Sequence, residues 1–297
     1  MLSSRRALLA LSLAALVPIL ASAQAQAQMR ITLPNQPGTV KFLAMGDNGT
    51  GERAQYDVAA RMLDAHRLFP FEFAIMLGDN MYGRQRPDDF VQKFERPYKP
   101  LLDAGVLFYA ALGNHDEPTN RFYKFWNMGG ERYYTYTKQQ VRFFVLDSDN
   151  MDRAQLAWIT AQLAASTEPW KIVYFHHPLY SSAGWHGSTT DLRKVLEPLF
   201  VRYGVNAVFS GHDHVYERVH PQKGIYYFVS GAAGQLRQGD LQRSGLTDAG
   251  FDADQSFMGV VVGGDAMSVQ AITRAGRTVD SATLPRQAPR AAPAPKR

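Results

Sequence analysis

The chain has 297 residues and no cysteine, so disulfide bonds and thiolate metal sites are excluded. Its formal net charge is +5 and its pI is about 9.3, values that on their own favour a nucleic-acid-binding protein. Six positive charges lie at the two ends, on Arg5, Arg6 and the four basic residues of segment 286–297, so segment 24–285 has a net charge of −1. Because the basicity lies outside the predicted folded region, we expect no nucleic-acid partner.

The first 23 residues have the pattern of a secretory signal peptide. Arg5 and Arg6 precede an apolar run from Ala7 to Leu20, and Ala21-Ser22-Ala23 provides a small-residue cleavage site. The apolar run contains Pro18 and is shorter than the roughly 20 residues of a membrane-spanning helix, so we expect no stable membrane anchor after cleavage. The sequence therefore predicts an exported protein, periplasmic or secreted. The paired arginines fit both the twin-arginine route and ordinary secretion, and that choice stays open.

Predicted elements in segment 24–285 alternate between apolar β-rich runs and amphipathic helices, and hairpins follow. Predicted strands cover 40–45, 73–77, 106–112, 133–137, 141–146, 172–175, 205–210, 225–229, 258–262 and 268–272. Predicted helices cover 53–68, 155–165 and 191–203. This order predicts one domain with a mixed α/β sandwich rather than a barrel. The polar segment 239–255 is predicted to be a long loop, and the Pro-, Ala- and Arg-rich segment 286–297 a disordered tail.

Five predicted strands end in polar residues that are able to bind metal ions. The first residue of each set is Asp47, Asp79, Asn114, His176 or His212. The carboxyl ends of parallel strands meet at one edge of a sheet, where ligands bind in α/β proteins. Six of the eight histidines lie in or beside these segments. The pattern therefore predicts a metal site built from oxygen and imidazole ligands.

These segments resemble the calcineurin-like metallophosphoesterase superfamily and, within it, the purple acid phosphatases. The family pattern GDxG, GDxxY, GNH[DE], VxxH and GHxH is matched, in that order, at 46–49, 78–82, 113–116, 173–176 and 211–214. The resemblance covers roughly residues 41 to 234 and implies a metallophosphoesterase domain over 24–285. It also implies the fold: a four-layer αββα sandwich of two mixed β-sheets flanked by helices.

The resemblance further implies a two-metal site with seven ligands: Asp47, Asp79, Tyr82, Asn114, His176, His212 and His214. Asp79 would bridge the two ions. Most superfamily members have a histidine two residues after the first aspartate, whereas this chain has Gly49, and Tyr82 is the compensating ligand.

The donor chemistry predicts two different ions. Asp47, Tyr82 and His214, with the bridging carboxylate, form a hard anionic set that favours Fe³⁺. Asn114, His176 and His212 form a nearly neutral set that suits divalent Zn, Mn or Fe. We expect no cofactor other than these two metal ions.

The predicted reaction is hydrolysis of small phosphomonoesters by attack of metal-bound hydroxide, at acidic to neutral pH. His115 is predicted to bind the phosphate or protonate the leaving group, with Asp116 as the carboxylate that orients its ring. His186 follows the His176 strand in a loop whose histidines reach the substrate in purple acid phosphatases. These three residues are the predicted catalytic set.

Alternative functions remain open at this point. A phosphodiesterase or nucleotide-directed hydrolase would use the same metals, and a redox-active iron pair would instead generate peroxide or radical chemistry. A non-catalytic binding module is disfavoured, because every expected ligand is present. The sequence leaves open the natural substrate, the preference for monoesters or diesters, the second metal and the oligomeric state.

Overall fold

The structure is a computed structural model that describes residues 29–242 and 244–287. The predicted signal peptide and all but the first two residues of the predicted tail lie outside these ranges. Within the described part of the chain, no helix is long and apolar enough to cross a membrane.

Thirteen strands are present in the described residues: β1 (Val40–Met45), β2 (Phe73–Leu77), β3 (Leu107–Ala111), β4 (Tyr134–Lys138), β5 (Val141–Val145), β6 (Trp170–Tyr174), β7 (Ala207–Ser210), β8 (Tyr216–Gln222), β9 (Ile225–Ser230), β10 (Thr247–Phe251), β11 (Ser256–Gly263), β12 (Ala266–Thr273) and β13 (Thr278–Pro285). They form two mixed sheets. The first sheet has the order β13-β12-β11-β1-β2-β3, and β1, β2 and β3 run parallel. The second has the order β10-β8-β9-β7-β6-β5-β4, with β5, β6, β7 and β9 parallel.

The two sheets pack face to face through aromatic side chains. Phe42 of the first sheet stacks on its neighbour Phe73 with ring centroids 5.3 Å apart. It meets Phe143 and Phe209 of the second sheet edge-on, at 5.4 and 6.0 Å. All four rings are buried, and each contributes about 2–3 kcal/mol of hydrophobic stabilisation. The inner faces of both sheets therefore share one apolar core.

The helices cover the outer faces: α1 (Arg53–Leu68), α2 (Pro87–Phe90), α3 (Arg96–Asp103), α4 (Arg153–Ala165) and α5 (Thr190–Tyr203). Val58 and Met62 of α1 and Leu101 of α3 pack in one core cluster with residues of the first sheet. Helices α4 and α5 pack in the same way on the second sheet. Asp152 caps α4 by accepting a hydrogen bond from the Gln155 amide at 2.8 Å, and Gly204 ends α5 with a positive φ of 69°. The predicted four-layer αββα fold is confirmed.

The prediction of one long loop over 239–255 is wrong, because this segment contains strand β10. This strand pairs antiparallel with β8 at the edge of the second sheet, and its residues are only partly buried or exposed. Its partly buried face consists of Thr247, Ala249 and Phe251, a pattern too short and too weakly apolar to mark a strand in the sequence. Strands β8 and β13 and helices α2 and α3 were also missed. Pro87 and Pro97 lie in the first turns of these helices, where proline is tolerated.

The sheet topology brings the predicted site residues together. The parallel strands β1, β2 and β3 all end at one edge of the first sheet, and β5, β6 and β7 end at one edge of the second. Direct hydrogen bonds join the loops at these edges. The His212 amide donates to Asp47 Oδ2 at 2.8 Å, across 165 residues of sequence.

Candidate active site

The loops after the strands hold three predicted ligands in an unusual backbone conformation. Asp47, Asp79 and His212 have φ values of 57°, 51° and 70°, in the left-handed region that residues other than glycine rarely adopt. Such a conformation costs about 1–3 kcal/mol per residue and concentrates at functional sites. Tertiary hydrogen bonds hold it here: the Asp47 amide donates to the Gly78 carbonyl at 3.0 Å.

Only glycine fits at position 49, for a steric reason that the sequence alone does not reveal. A Cβ atom at residue 49 would lie 1.8 Å from the backbone oxygen of Asn80. The Gly49 carbonyl also accepts a hydrogen bond from the Tyr82 amide at 3.0 Å. The two loops therefore touch through their backbones, and this contact places Tyr82. A histidine at position 49 is incompatible with that arrangement.

The oxygen-rich half of the site consists of Asp47, Tyr82 and His214. The Tyr82 hydroxyl donates to Asp47 Oδ1 at 3.0 Å and lies 3.2 Å from His214 Nε2. His214 Nε2 is 3.4 Å from Asp47 Oδ1. Asp47 is fully buried. The structure therefore brings these three predicted ligands to one point.

The imidazole-rich half consists of Asn114, His176 and His212. His176 Nε2 lies 3.0 Å from Asn114 Oδ1 and 3.1 Å from His212 Nδ1. The Leu77 carbonyl can only accept, so His176 Nδ1, 3.0 Å away, carries the proton and donates. The lone pair of His176 Nε2 is thereby directed into the site, as in metal-bound histidines oriented by a backbone carbonyl.

Asp79 connects the two halves. Its Oδ1 atom is 3.4 Å from His176 Nε2 in the imidazole-rich half. One ligand atom each from Asp47, Asp79 and His176 lies within 4.8 Å of the others. The same carboxylate also accepts a hydrogen bond from the His115 amide at 2.9 Å. This position fits a carboxylate shared by two ions.

The electrostatics of the cluster fit bound cations. Burial, together with the nearby Asp79 carboxylate, raises the pKa of Asp47 well above its ordinary range. Burial and the same two carboxylates raise the pKa of the Tyr82 phenol. Burial also lowers the pKa of His212 to about 2, with further contributions from His176 and His177. Clustered carboxylates need a positive charge, and neutral imidazoles offer free lone pairs, so the donor set suits metal ions.

The predicted pairing of His115 with Asp116 is not what the structure has. Asp116 Oδ2 accepts hydrogen bonds from the amides of Gly113 and Asn80, at 3.0 and 3.1 Å, and Oδ1 accepts from the Met81 amide at 3.0 Å. Its carboxylate therefore ties the 78–82 loop to the 113–116 loop and is turned away from the His115 ring. His115 itself borders the site, half exposed, with Nε2 3.8 Å from Asp79 Oδ2.

Of the two predicted catalytic histidines, His186 has a close carboxylate partner outside the predicted ligands. Its Nδ1 lies 3.3 Å from Oδ1 of the buried Asp213. The His186 ring stacks on the ring of His212 with centroids 4.0 Å apart and planes inclined by 21°. The structure thus places the His186 ring beside His212, in the imidazole-rich half, and pairs it with Asp213 from a different loop.

Two residues after β5, which the sequence did not predict to be part of the site, also contact it. His177 Nδ1 lies 2.9 Å from the Ser148 hydroxyl, and His177 Nε2 lies 3.8 Å from Asp149 Oδ1. Ring nitrogens of His176, His177 and His212 lie within 4.8 Å of one another. Ser148 and Asp149 follow an apolar strand, so the rule that identified the other loops applied to them as well.

A family model described as calcineurin-like phosphoesterase matches residues 40–216, more than half of the chain. The chain belongs to the calcineurin-like phosphoesterase family. Within that family it is similar to the purple acid phosphatases. Tartrate-resistant acid phosphatase type 5 of Rattus norvegicus is 28% identical over 84% of this chain and 91% of its own length.

Two solved structures share the fold. The purple acid phosphatase PPD1 from yellow lupin seeds superposes with a TM-score of 0.68 and 21% identity, covering 86% of this chain and 55% of that one. GAP50, the anchor in the inner membrane complex of Plasmodium, superposes with a TM-score of 0.75 and 17% identity, covering 85% of this chain and 90% of that one. The acid phosphatases among the relatives confirm the predicted enzyme class, a hydrolase that acts on phosphate esters.

Proposed function

We propose that this phosphoesterase hydrolyses phosphate monoesters at a two-metal site, at acidic to neutral pH. The observation that carries the proposal is the convergence of seven predicted ligands into two clusters that share Asp79. Two bound ions would supply Lewis acidity: they would neutralise phosphoryl oxygens and lower the pKa of a water molecule. No protein nucleophile is required.

His115 and His186 are the proposed proton donors and phosphate-binding residues. His186 Nδ1 faces Asp213, so in the neutral ring that nitrogen carries the proton, and in the imidazolium Nε2 is free to donate. His115 has a side chain that is 51% exposed beside Asp79 and is therefore accessible to a substrate oxygen. Asp116 is proposed as a positioning residue for the two loops that carry Asp79 and Asn114.

We further propose Fe³⁺ in the oxygen-rich half and a divalent Zn, Mn or Fe ion in the imidazole-rich half. The Tyr82 hydroxyl is aimed at the same point as Asp47 and His214, which supports a phenolate ligand. Its pKa is raised by burial and two carboxylates, so ionisation requires a strong positive charge at this point. A trivalent ion meets that requirement best.

The activity is tested by comparing turnover of p-nitrophenyl phosphate, bis(p-nitrophenyl) phosphate and hydrogen peroxide, across pH, with protein of measured metal content. We expect the monoester to be hydrolysed faster than the diester, with an optimum at or below neutral pH. Faster diester turnover would replace this proposal by a phosphodiesterase. Peroxide chemistry without hydrolysis would replace it by an iron-redox function.

The proton donors are tested with His115→Ala and His186→Ala, and His220→Ala serves as the control, since its side chain is 63% exposed and pairs with Asp248 instead. General acid catalysis contributes roughly 100-fold or more. We expect each site variant to lose at least about tenfold in kcat with unchanged metal content. Wild-type kcat in both variants would refute the assignment.

The iron proposal is tested by the visible spectrum. Phenolate coordination to Fe³⁺ produces a visible absorption band, which we expect in the wild type and not in Tyr82→Phe. A colourless wild-type protein with full activity would exclude Fe³⁺ bound by the Tyr82 phenolate.

Export is proposed from residues 1–23, with cleavage after Ala23 to release segment 24–285 and its basic tail. Cell fractionation with Arg5→Lys/Arg6→Lys tests the route, because a twin-arginine signal requires both arginines. Export that persists unchanged would assign the chain to ordinary secretion.

A further inference from the structure

Trp185 is a large apolar residue whose side chain lies at the surface beside the site. It is 68% exposed, although burying an indole is normally favourable. The loop that carries it is well anchored: the Gly184 amide donates to the Asp240 carbonyl at 2.8 Å, and the Ser182 amide donates to the buried Glu217 carboxylate at 2.8 Å. The exposed indole is therefore held in place by its loop.

The indole stands next to the chemistry. The His186 ring stacks on the predicted ligand His212 at 4.0 Å, and the Trp185 ring meets the His186 ring edge-on with centroids 6.3 Å apart. Trp185 is thus two ring contacts away from the imidazole-rich half of the site. The indole therefore borders the space in front of His186, the proposed phosphate-binding residue.

Arg237 fixes the ring from another loop. Its guanidinium carbon lies 4.2 Å from the centroid of the Trp185 ring, a cation–π contact. The Arg237 amide donates to the His214 carbonyl at 3.1 Å, so this residue is tied to the backbone of a predicted ligand. Among residues 29–242 and 244–287, no carboxylate forms an ion pair with Arg237.

We propose that Trp185, held by Arg237, is a specificity-determining residue that stacks on the aromatic leaving group of an aryl phosphate. This inference rests on the proposed phosphomonoesterase function and adds the chemical class of the leaving group. One face of the indole carries the guanidinium, and the exposed remainder offers a flat surface for a second ring. An aryl ring joined directly to the ester oxygen gains stacking there, whereas a saturated ring of equal size gains only apolar contact.

The test measures kcat/KM for phenyl phosphate and cyclohexyl phosphate in wild type, Trp185→Ala, Trp185→Phe and Arg237→Gln. Comparing each variant with wild type on the same substrate cancels the difference in leaving-group reactivity. We expect Trp185→Ala to lose roughly tenfold on phenyl phosphate, a loss at least about fivefold larger than on cyclohexyl phosphate. Trp185→Phe is expected to keep most of the wild-type kcat/KM on phenyl phosphate. Arg237→Gln is expected to lose less than Trp185→Ala on the same substrate.

Phe122→Ala is the matched control, because Phe122 is also exposed, at 65%, and lies under Arg121 with 4.4 Å between guanidinium and ring centroid. None of its described ring contacts involves a predicted metal ligand. Equal losses on both substrates in Trp185→Ala, or the same selective loss in Phe122→Ala, would overturn the proposal.

A binding measurement separates this inference from the proposed function. Titration calorimetry compares phenylphosphonate with methylphosphonate, neither of which is an ester, on the metal-loaded protein. We expect tighter phenylphosphonate binding that Trp185→Ala removes. If wild type binds in this way and hydrolyses no phosphate ester, the proposed function fails and the recognition site stands. If it hydrolyses both esters but binds the two phosphonates equally, the recognition site fails and the function stands.

Discussion

The two β-sheets supply different chemistry to the same site. The predicted oxygen ligands all come from loops after β1, β2 and β3 of the first sheet, whereas the imidazole ligands all come from loops after β6 and β7 of the second. Each half of the site nevertheless draws on both sheets. His214 meets Asp47 and Tyr82, and Asn114 meets His176. An ion in either half therefore links the two sheets at their carboxyl edges.

Removing the metal breaks this link most completely. Exhaustive chelation is expected to abolish activity and to lower the free energy of unfolding by roughly 4 kcal/mol, for metal held at a thousand times its Kd. We also expect amide hydrogen exchange to rise in the loops of both sheets that carry ligands and to stay unchanged in the β4–β5 hairpin. Thermal unfolding and exchange mass spectrometry measure both effects. Loosening of the loops of only one sheet would contradict the link.

Asp79→Ala removes the residue that belongs to both halves. Removing a residue that only hydrogen-bonds to a metal ligand typically lowers activity or metal affinity by up to about 100-fold. Removing a ligand shared by both ions is expected to have a larger effect. Metal analysis is expected to show both ions depleted. Asp88→Ala, at an exposed carboxylate nine residues along the chain, is the control. Loss of one ion alone would show that Asp79 serves a single half.

Gly49→Ala tests the oxygen-rich half on its own. The added Cβ would collide with the Asn80 carbonyl, and this overpacking is expected to cost about 2 kcal/mol of unfolding free energy. Because the Tyr82 amide bonds to residue 49, we expect the ion of the oxygen-rich half to be lost first. Gly245→Ala is the control, since a Cβ there meets open space and the φ of that glycine is not positive. Equal depletion of both ions would remove the distinction between the halves.

The smallest expected effect concerns the ion pair between Arg142 of the second sheet and Glu168, which lies away from the metal site. Burial opposes ionisation of Glu168, but hydrogen bonds from the Ser166 hydroxyl and from Arg142 outweigh it and lower the Glu168 pKa to about 2. A lowered carboxyl pKa stabilises the fold above the unfolded value of 4.5, and that contribution is lost as the pH falls through 2. We expect Glu168→Gln to lower the free energy of unfolding by about 1–2 kcal/mol at pH 7 and by almost nothing below pH 2.

Urea unfolding at both pH values measures this difference, with and without chelator. The cost of Glu168→Gln is expected to be independent of metal, because Glu168 contacts Thr137, Arg142 and Ser166 and not the site. A metal-dependent cost would mean that the outer part of the second sheet is coupled to the ions.

The sequence predicted which loops converge on the site better than it predicted the partners of the proposed catalytic residues. Ligand positions follow from a local rule, since an apolar strand that ends in a polar residue delivers that residue to the sheet edge. Carboxylate partners do not follow such a rule. Asp116 adjoins His115 in sequence but bonds to backbone amides of another loop, whereas Asp213 lies far along the chain from His186 and faces it.

Elements whose stability comes from tertiary pairing were also beyond local reasoning. No residue of strand β10 is fully buried, and the strand is held in place by its pairing with β8. The steric reason for Gly49 depends on the Asn80 backbone, which only the packed loops bring close. Sequence periodicity records burial, and it carries no information on which buried surfaces meet.

The hydrogen bond between the His212 amide and Asp47, which spans 165 residues, has a kinetic consequence. Because closing a loop of this length is entropically costly, we expect this contact to form late and a complete ion site to be absent from early folding states. Contacts made after the transition state slow unfolding without accelerating folding. Bound metal should therefore prolong the lifetime of the native state while leaving the refolding rate unchanged.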